Sequence, residues 1–342
     1  MAHVLDKKAV TIQDVARQAN VSTATVSRAL SAPNSVSAKK RDAVLAAVES
    51  TGYRVNRAAR SLRTQRSNTV LALLPTLGNP FFSQVLQGIV DVLTPAGQAL
   101  IVAETDQINN AGDDLISYFE DQRADGVIVL DGALSPSSLA RLHNSSHGSR
   151  VVFACEWPAS GGFPSVRSAN ADGARKAVEH LYDLGHRFIA HVAGPEGNVL
   201  TPARRDGFLE ACAERHVATL CMAGDFSLDA GINAAAEILA MENRPTAVFC
   251  ASDVIAFGLI SGLTRAGVSV PEDISIIGFD DIEYSEHFIP PLASIRQDRV
   301  ALGQAAARML LDRYGSDSGA PVEEIRKLPV EFIARASTAA PR

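Results

Sequence analysis

Residues 11–30, TIQDVARQANVSTATVSRAL, form two short amphipathic runs around an Asn-Val joint. Thr11 is placed to cap a first helix, along which Ile12, Val15, Ala16 and Ala19 recur at helical spacing. The ANVS turn sets Ser22 to cap a second helix over 23–30. That helix buries Val26, Ala29 and Leu30 and turns Thr23, Ala24, Ser27 and Arg28 outward. Pro33 then interrupts the pattern. Ser37 opens a third helix carrying Val44, Leu45 and Val48, and Gly52 ends it.

Two short helices across a tight turn, closed by a third into a small core, predict an all-α helix-turn-helix head. The outward face of the second helix carries the chemistry of a groove reader. Arg28 can offer two N–H donors to a guanine edge, and Thr23 and Ala24 are small enough to approach base edges or a thymine methyl. Thr11, Ser22, Thr25 and Ser27 place hydroxyls at helix starts and along this face, where phosphate oxygens are met. Residues 1–67 hold twelve basic against four acidic side chains, a balance of +8, whereas the whole chain is −6 and the remainder therefore −14. A small basic head on a large acidic body is the electrostatic footprint of a nucleic-acid-binding module joined to something else.

At 342 residues the chain is too long for one ordinary core. Its hydrophobic content of 46% and charged content of 20% describe a globular protein rather than a disordered one. No stretch approaches the roughly 20 uninterrupted apolar residues of a membrane span. The opening MAHVLDKKAV lacks an apolar signal core, so a cytoplasmic location is expected. Cys155, Cys212, Cys221 and Cys250 show neither metal-ligand nor disulfide spacing.

From residue 69 onward, short apolar runs alternate with helical patterns. TVLALLP, ALIVAE, GVIVL and VVFAC predict strands of a first lobe; RFIAHVAG, TAVFCAS and ISIIGFD predict those of a second. Helices are expected at 81–93, 172–184, 203–215, 230–240, 253–266 and 298–313, with a last strand near 328–333. This alternation predicts an α/β body of two doubly wound parallel-sheet lobes, whose ligands bind beyond the carboxyl ends of the strands. No dinucleotide or phosphate-loop glycine pattern and no catalytic triad order appears, so neither an enzyme nor a cofactor is expected. His180, His186 and His191 straddle a helix end and a strand, which fits structural roles rather than a metal site.

The ordered set TIQDVARQANVSTATVSRAL, GYRVN, ARSLRT, NPFFSQVLQGI, DGVIVL, TAVFCASDVIAFG, ISIIGFDD, PPLASIRQD and FIARAST resembles the Lac repressor/Gal repressor family of bacterial transcription factors. The likeness covers nearly the whole chain and lies nearest the cytidine- and purine-responsive members. It implies a head at 1–55, a hinge helix or linker at 56–67 and a body at 68–342 resembling periplasmic binding proteins. The body's first lobe is expected at about 68–168 plus 297–333 and its second at about 169–296, with three crossings between them. In the hinge, the resemblance makes Leu62 a minor-groove wedge and Arg63 its basic neighbour; Ala59 permits close approach, and Asn56 begins the DNA-contacting segment.

For the effector pocket, the resemblance implies Arg204, Phe82, Phe226 and Asp280, the last a carboxylate suited to vicinal hydroxyls. Ser252 and Asp253 open a helix beside it, where Asp253 equally suits a first-turn acid. Phe82 and Phe226 equally suit a core, and Arg204 with Asp280 a structural ion pair. GNVLTP lacks the arginine that purine-responsive members carry there and offers Asn198, which favours a nucleoside or pentose. The expectation is a homodimeric repressor of a palindromic operator on double-stranded DNA, controlled by a small molecule and involving no membrane. The alternatives are a solute-binding or enzymatic body with an incidental basic head, and a repressor controlled by a protein partner.

Overall fold

In the computed structural model of the chain, residues 10–53, 66–106, 115–314 and 321–342 are described. They divide into two units, Met1–Ser67 and Asn68–Arg342.

The first unit holds α1 (Ile12–Gln18), α2 (Thr23–Ser31) and α3 (Ala38–Thr51). Asp14 accepts from both the backbone N–H and the hydroxyl of Thr11 (3.0 and 2.7 Å), which fixes the start of α1. Asn20 takes a left-handed φ of 50° in the turn. The Ser22 hydroxyl then accepts the Thr25 N–H at 3.2 Å and caps α2. Val15, Ala16, Val26, Ala29, Val44 and Ala47 make the core. Two expectations are corrected. Leu45 is 49% exposed because helical spacing from Val44 selects Ala47 instead. Ser37 precedes α3, but its side chain accepts no cap bond; its carbonyl takes the Lys40 and Arg41 N–H groups.

The second unit carries two six-stranded sheets. The first lobe runs β1 (Thr69–Leu74), α4 (Phe81–Leu93), β2 (Ala99–Glu104), α5 (Leu115–Glu120), β3 (Gly126–Val129), α6 (Pro136–Asn144), β4 (Val151–Ala154) and β5 (Ser165–Ser168). The chain crosses to the second lobe for α7 (Asn170–Asp183), β6 (Phe188–Val192), α8 (Leu200–Glu214), β7 (Ala218–Met222), α9 (Leu228–Leu239) and β8 (Ala247–Cys250). There follow α10 (Asp253–Arg265), β9 (Ser275–Asp280), the single turn α11 (Tyr284–His287) and β10 (Ala293–Gln297). A second crossing delivers α12 (Arg299–Leu311) and β11 (Ile325–Leu328) to the first lobe, and a third returns β12 (Val330–Ile333) to the second.

The strand orders are β11-β5-β4-β3-β1-β2 and β12-β10-β9-β8-β6-β7. All pairings are parallel except β10 with β12. In each sheet the order in which strands are added reverses about the first strand of the lobe, so a crevice opens at the carboxyl ends of β1 and β3 and again at those of β6 and β8. The expected single last strand near 328–333 is corrected to two. Pro329 has no N–H to donate, so the run LPVEFI splits there and its halves join different sheets.

Glycines hold α12 against α4. A Cβ at Gly303 would lie 2.0 Å from the Val85 carbonyl oxygen, and one at Gly88 would lie 2.1 Å from that of Val300. The returning segment is thereby packed backbone to backbone on the first lobe. Strands β5, β7 and β10 escaped the sequence reading because SVRS, ATLCM and ASIRQ are short and partly polar. Among the described residues no helix is long and apolar enough to cross a membrane.

The three histidines serve the second lobe's packing. His180 meets the Thr338 hydroxyl, and His186 meets Thr246 and the Ala339 carbonyl. His191 contacts the Phe249 carbonyl at 3.0 Å and packs against the rings of Phe208 and Phe249, which also meet each other. Full burial lowers the His191 pKa from 6.5 to about 4, so the fold holds the neutral ring while the unfolded chain takes up a proton below 6.5. The stabilisation this residue contributes is present at neutral pH and is lost as pH falls from 6.5 to about 4. The stability gap between the native protein and His191→Phe should narrow by roughly 3 kcal/mol across that range in urea titrations. A gap that does not move with pH would refute a buried neutral imidazole.

Candidate functional site

The head presents the exposed face of α2. Ser22, Thr23, Ala24 and Arg28 are exposed there, and Thr25 and Ser27 are half-buried. Ser22 and Thr25 also serve the cap, their hydroxyl oxygens 2.9 Å apart. The Arg28 Nε lies 3.4 Å from the Ala24 carbonyl one turn back, which carries the guanidinium along the helix face. Thr11 is exposed at the start of α1. Asn56, Ala59, Leu62 and Arg63, expected to contact DNA, lie outside the described residues.

The body holds a cavity of about 480 Å³ where the carboxyl ends of the two sheets face each other. The first lobe contributes Pro75 and Thr76 after β1, Asn79, Phe81 and Phe82 at the start of α4, Asp106, Asp131 beyond β3, and Cys155 with Glu156 beyond β4. The second lobe contributes the loop Pro195, Glu196, Gly197 and Asn198, then Leu200, Arg204, Phe226, Ser252 and Asp280. Six of the seven expected effector residues therefore converge: Phe82, Asn198, Arg204, Phe226, Ser252 and Asp280.

Arg204 sits at the centre, only 2% exposed. Its Nε donates to Asn170 Oδ1 at 2.9 Å, one terminal nitrogen donates to the Ala251 carbonyl, and the other lies 3.8 Å from Asp280 Oδ1. The guanidinium carbon stands 3.8 Å over the Phe279 ring. Asp280 also accepts from Gln297 Nε2 at 2.6 Å. Burial pushes the Asp280 carboxyl above the usual range, against the pull of Arg204 and the Gln297 hydrogen bond. The ion pair and the cavity wall are thus the same two residues.

Backbone strain marks the same place. Asp280 has φ of 115°, Asp281 of 50° and Cys155 of 67°, all in the region that disfavours side chains. Cys155 and Asp280, at two facing strand ends, line the cavity, whereas Asp281 turns its carboxylate away to Arg296 and Arg335. Gly194 serves the wall differently: a Cβ there would lie 2.7 Å from the Phe226 ring, so a glycine lets that ring settle against the β6 end. Phe81 and Phe82 stand edge to face at 5.2 Å on the opposite side.

Asp253 is a correction. It is absent from the cavity wall because its carboxylate points back into the second lobe. One oxygen accepts the Ile282 N–H (2.8 Å) and the Ser285 hydroxyl (2.7 Å), and the other accepts the Ser294 hydroxyl (2.6 Å). It is 0% exposed, and burial followed by the nearby Asp280 charge pushes its carboxyl well up. Its neighbour Ser252 keeps its place on the wall while its hydroxyl caps α10 through the Ile255 N–H at 3.3 Å.

Four acids on the wall were missed, Asp106, Asp131, Glu156 and Glu196, and two of them are buried. Asp131 is 5% exposed, and its Oδ1 accepts the Ala133 N–H at 2.8 Å. Glu156 is equally buried; it accepts the Gly132 N–H at 2.9 Å and is hydrogen-bonded by the Asn198 side chain of the other lobe. Burial raises the Glu156 carboxyl. Both stand just past strands recognised in the sequence, in VLDG and FACE, and their position alone was the available signal.

Residues 11–56 match the family model of bacterial regulatory proteins, lacI family, and residues 178–338 match that of the periplasmic binding protein-like domain. The chain is 35% identical over 97% of its length, and 97% of the relative's, to the HTH-type transcriptional repressor CytR of Escherichia coli. The chain belongs to the LacI family. This LacI-family regulator resembles the Lac repressor dimer bound to operator and the anti-inducer ONPF with a TM-score of 0.83 and 30% identity, over 97% of this chain and 100% of that one. It also resembles a LacI family transcriptional regulator from Enterococcus faecium with bound ribose, with a TM-score of 0.71 and 32% identity, over 80% of this chain and 100% of that one. The regulator therefore joins a DNA-binding helix-turn-helix head to a ligand-binding body of periplasmic-binding-protein type.

Proposed function

We propose that this regulator is a cytoplasmic, homodimeric repressor, not an enzyme, that holds a palindromic operator until a nucleoside or pentose enters the cavity of its body. The observation that carries this reading is the cavity itself. Carboxylates and aromatic rings from two lobes meet at the switch points of both sheets, so one polar ring can touch both lobes at once. The ribose in the Enterococcus faecium relative and the operator in the Lac repressor complex support the two halves of the proposal.

In the proposed mechanism, two copies of α2 read half-sites through Arg28, Thr23 and Ala24, and hydroxyls of Thr11, Ser22, Thr25 and Ser27 meet phosphates. Asn56, Ala59, Leu62 and Arg63 engage the operator centre, with Leu62 as the wedge. The effector prefers one arrangement of the lobes, and that difference in affinity weakens operator binding.

Gel-shift titration on the DNA upstream of its own gene tests this. Specific binding should fall steeply with salt and be weakened by ribose or a nucleoside. Arg28→Ala should lower specific affinity roughly 10- to 100-fold while leaving non-specific binding nearly unchanged. Footprinting of the same DNA that shows no protected palindrome would defeat the repressor reading. Operator binding indifferent to every sugar and nucleoside would point to control by a protein partner.

A further inference from the structure

The cavity's charge is lopsided. Among the described residues that line it, Arg204 is the single cation, against the carboxylates of Asp106, Asp131, Glu156, Glu196 and Asp280. Arg204 is also committed: its nitrogens go to Asn170, the Ala251 carbonyl and Asp280. An anionic ligand would need donors from elsewhere, and helix starts are the usual source. Here one N–H at each of three helix starts around the cavity is already taken by a side chain. Asn79 Oδ1 takes the Phe81 N–H at 3.0 Å, Asn198 Oδ1 takes the Leu200 N–H at 2.8 Å, and the Ser252 hydroxyl takes the Ile255 N–H.

Resting on the effector reading above, we infer that the cavity selects an uncharged ligand rich in hydroxyl or amino donors and rejects the phosphate ester of the same compound. Ionised carboxylates only accept hydrogen bonds, so the wall suits donors on the ligand. Asp131 on the first lobe and Asp280 on the second each accept a protein hydrogen bond through Oδ1, which leaves Oδ2 to accept from a ligand. A phosphate brought among these acids meets like charge in a partly enclosed, poorly solvated space, where such juxtaposition is strongly unfavourable. Phosphorylation of the effector thereby ends its signal without any change in the protein.

Calorimetry on the full chain tests this with ribose against ribose phosphate, and adenosine, cytidine and uridine against their monophosphates. The neutral member of the responding pair should bind on the order of a hundredfold more tightly than its ester. Glu196→Gln, on an exposed loop where folding is not at stake, and Asp131→Asn should each narrow that ratio several-fold. An ester that binds as tightly as its parent overturns the inference but leaves the effector site standing. A ratio unchanged in both variants also overturns it, because shape rather than charge then discriminates. Binding by no member of either series overturns the effector reading and this inference with it.

Discussion

Replacing Asp253 by alanine is expected to destabilise the body by roughly 3–5 kcal/mol, read as a fall in melting temperature. The carboxylate is the shared acceptor for one backbone N–H and two hydroxyls, from Ile282, Ser285 and Ser294, all buried. Deleting it strands three donors at about 1–3 kcal/mol each before relaxation. Asp253→Asn keeps the shape and one acceptor oxygen, so its cost should be smaller. The same pair of variants decides between the structural role and a ligand contact. An alanine variant with unchanged melting temperature but weakened effector binding would return Asp253 to the cavity wall.

The second large effect concerns Arg204 and Asp280. Arg204→Ala should cost roughly 3–5 kcal/mol, because it leaves the Asp280 carboxylate buried without its counter-charge. Asp280→Asn in the same chain should recover a part of that loss, giving a coupling of about 0.5–3 kcal/mol in a double-mutant cycle. Asp280→Asn alone should weaken a hydroxyl-bearing effector about tenfold through loss of a charge-assisted bond. Strict additivity of the two stability costs would show that the residues do not act on each other. Both halves of the residues' expected role, ion pair and effector contact, are thus separable by experiment.

Sequence periodicity carried the fold a long way for a simple physical reason. Strands buried on both faces, such as TVLALL and AVFC, are apolar throughout, and helices between them repeat at helical spacing. It failed where a strand lies at a sheet edge or is half polar, as in β5, β7 and β10. Pro329 was visible in the sequence, but the different sheets claimed by its two sides were not. The site was legible at strand ends in the second lobe, where Ser252 and Asp280 stand, whereas Arg204, inside α8, was reached through the family resemblance. The same rule applied to VLDG and FACE would have reached Asp131 and Glu156. Asp253 misled because the first residue of a helix that follows a strand end can turn inward as easily as outward. That choice was made by Ser285 and Ser294, 32 and 41 residues away. The left-handed φ values of Cys155 and Asp280 had no sequence signature, since neither position is a glycine.

The third crossing, at Pro329, has a consequence for biosynthesis. An edge of each sheet is supplied by β11 and β12, which flank that proline and emerge from the ribosome after every other strand of the body. The early-made portions of both halves must therefore wait, unfinished, for one late ribbon of nascent chain that closes them together. A stall in translation just before residue 325 would leave two open edges at once.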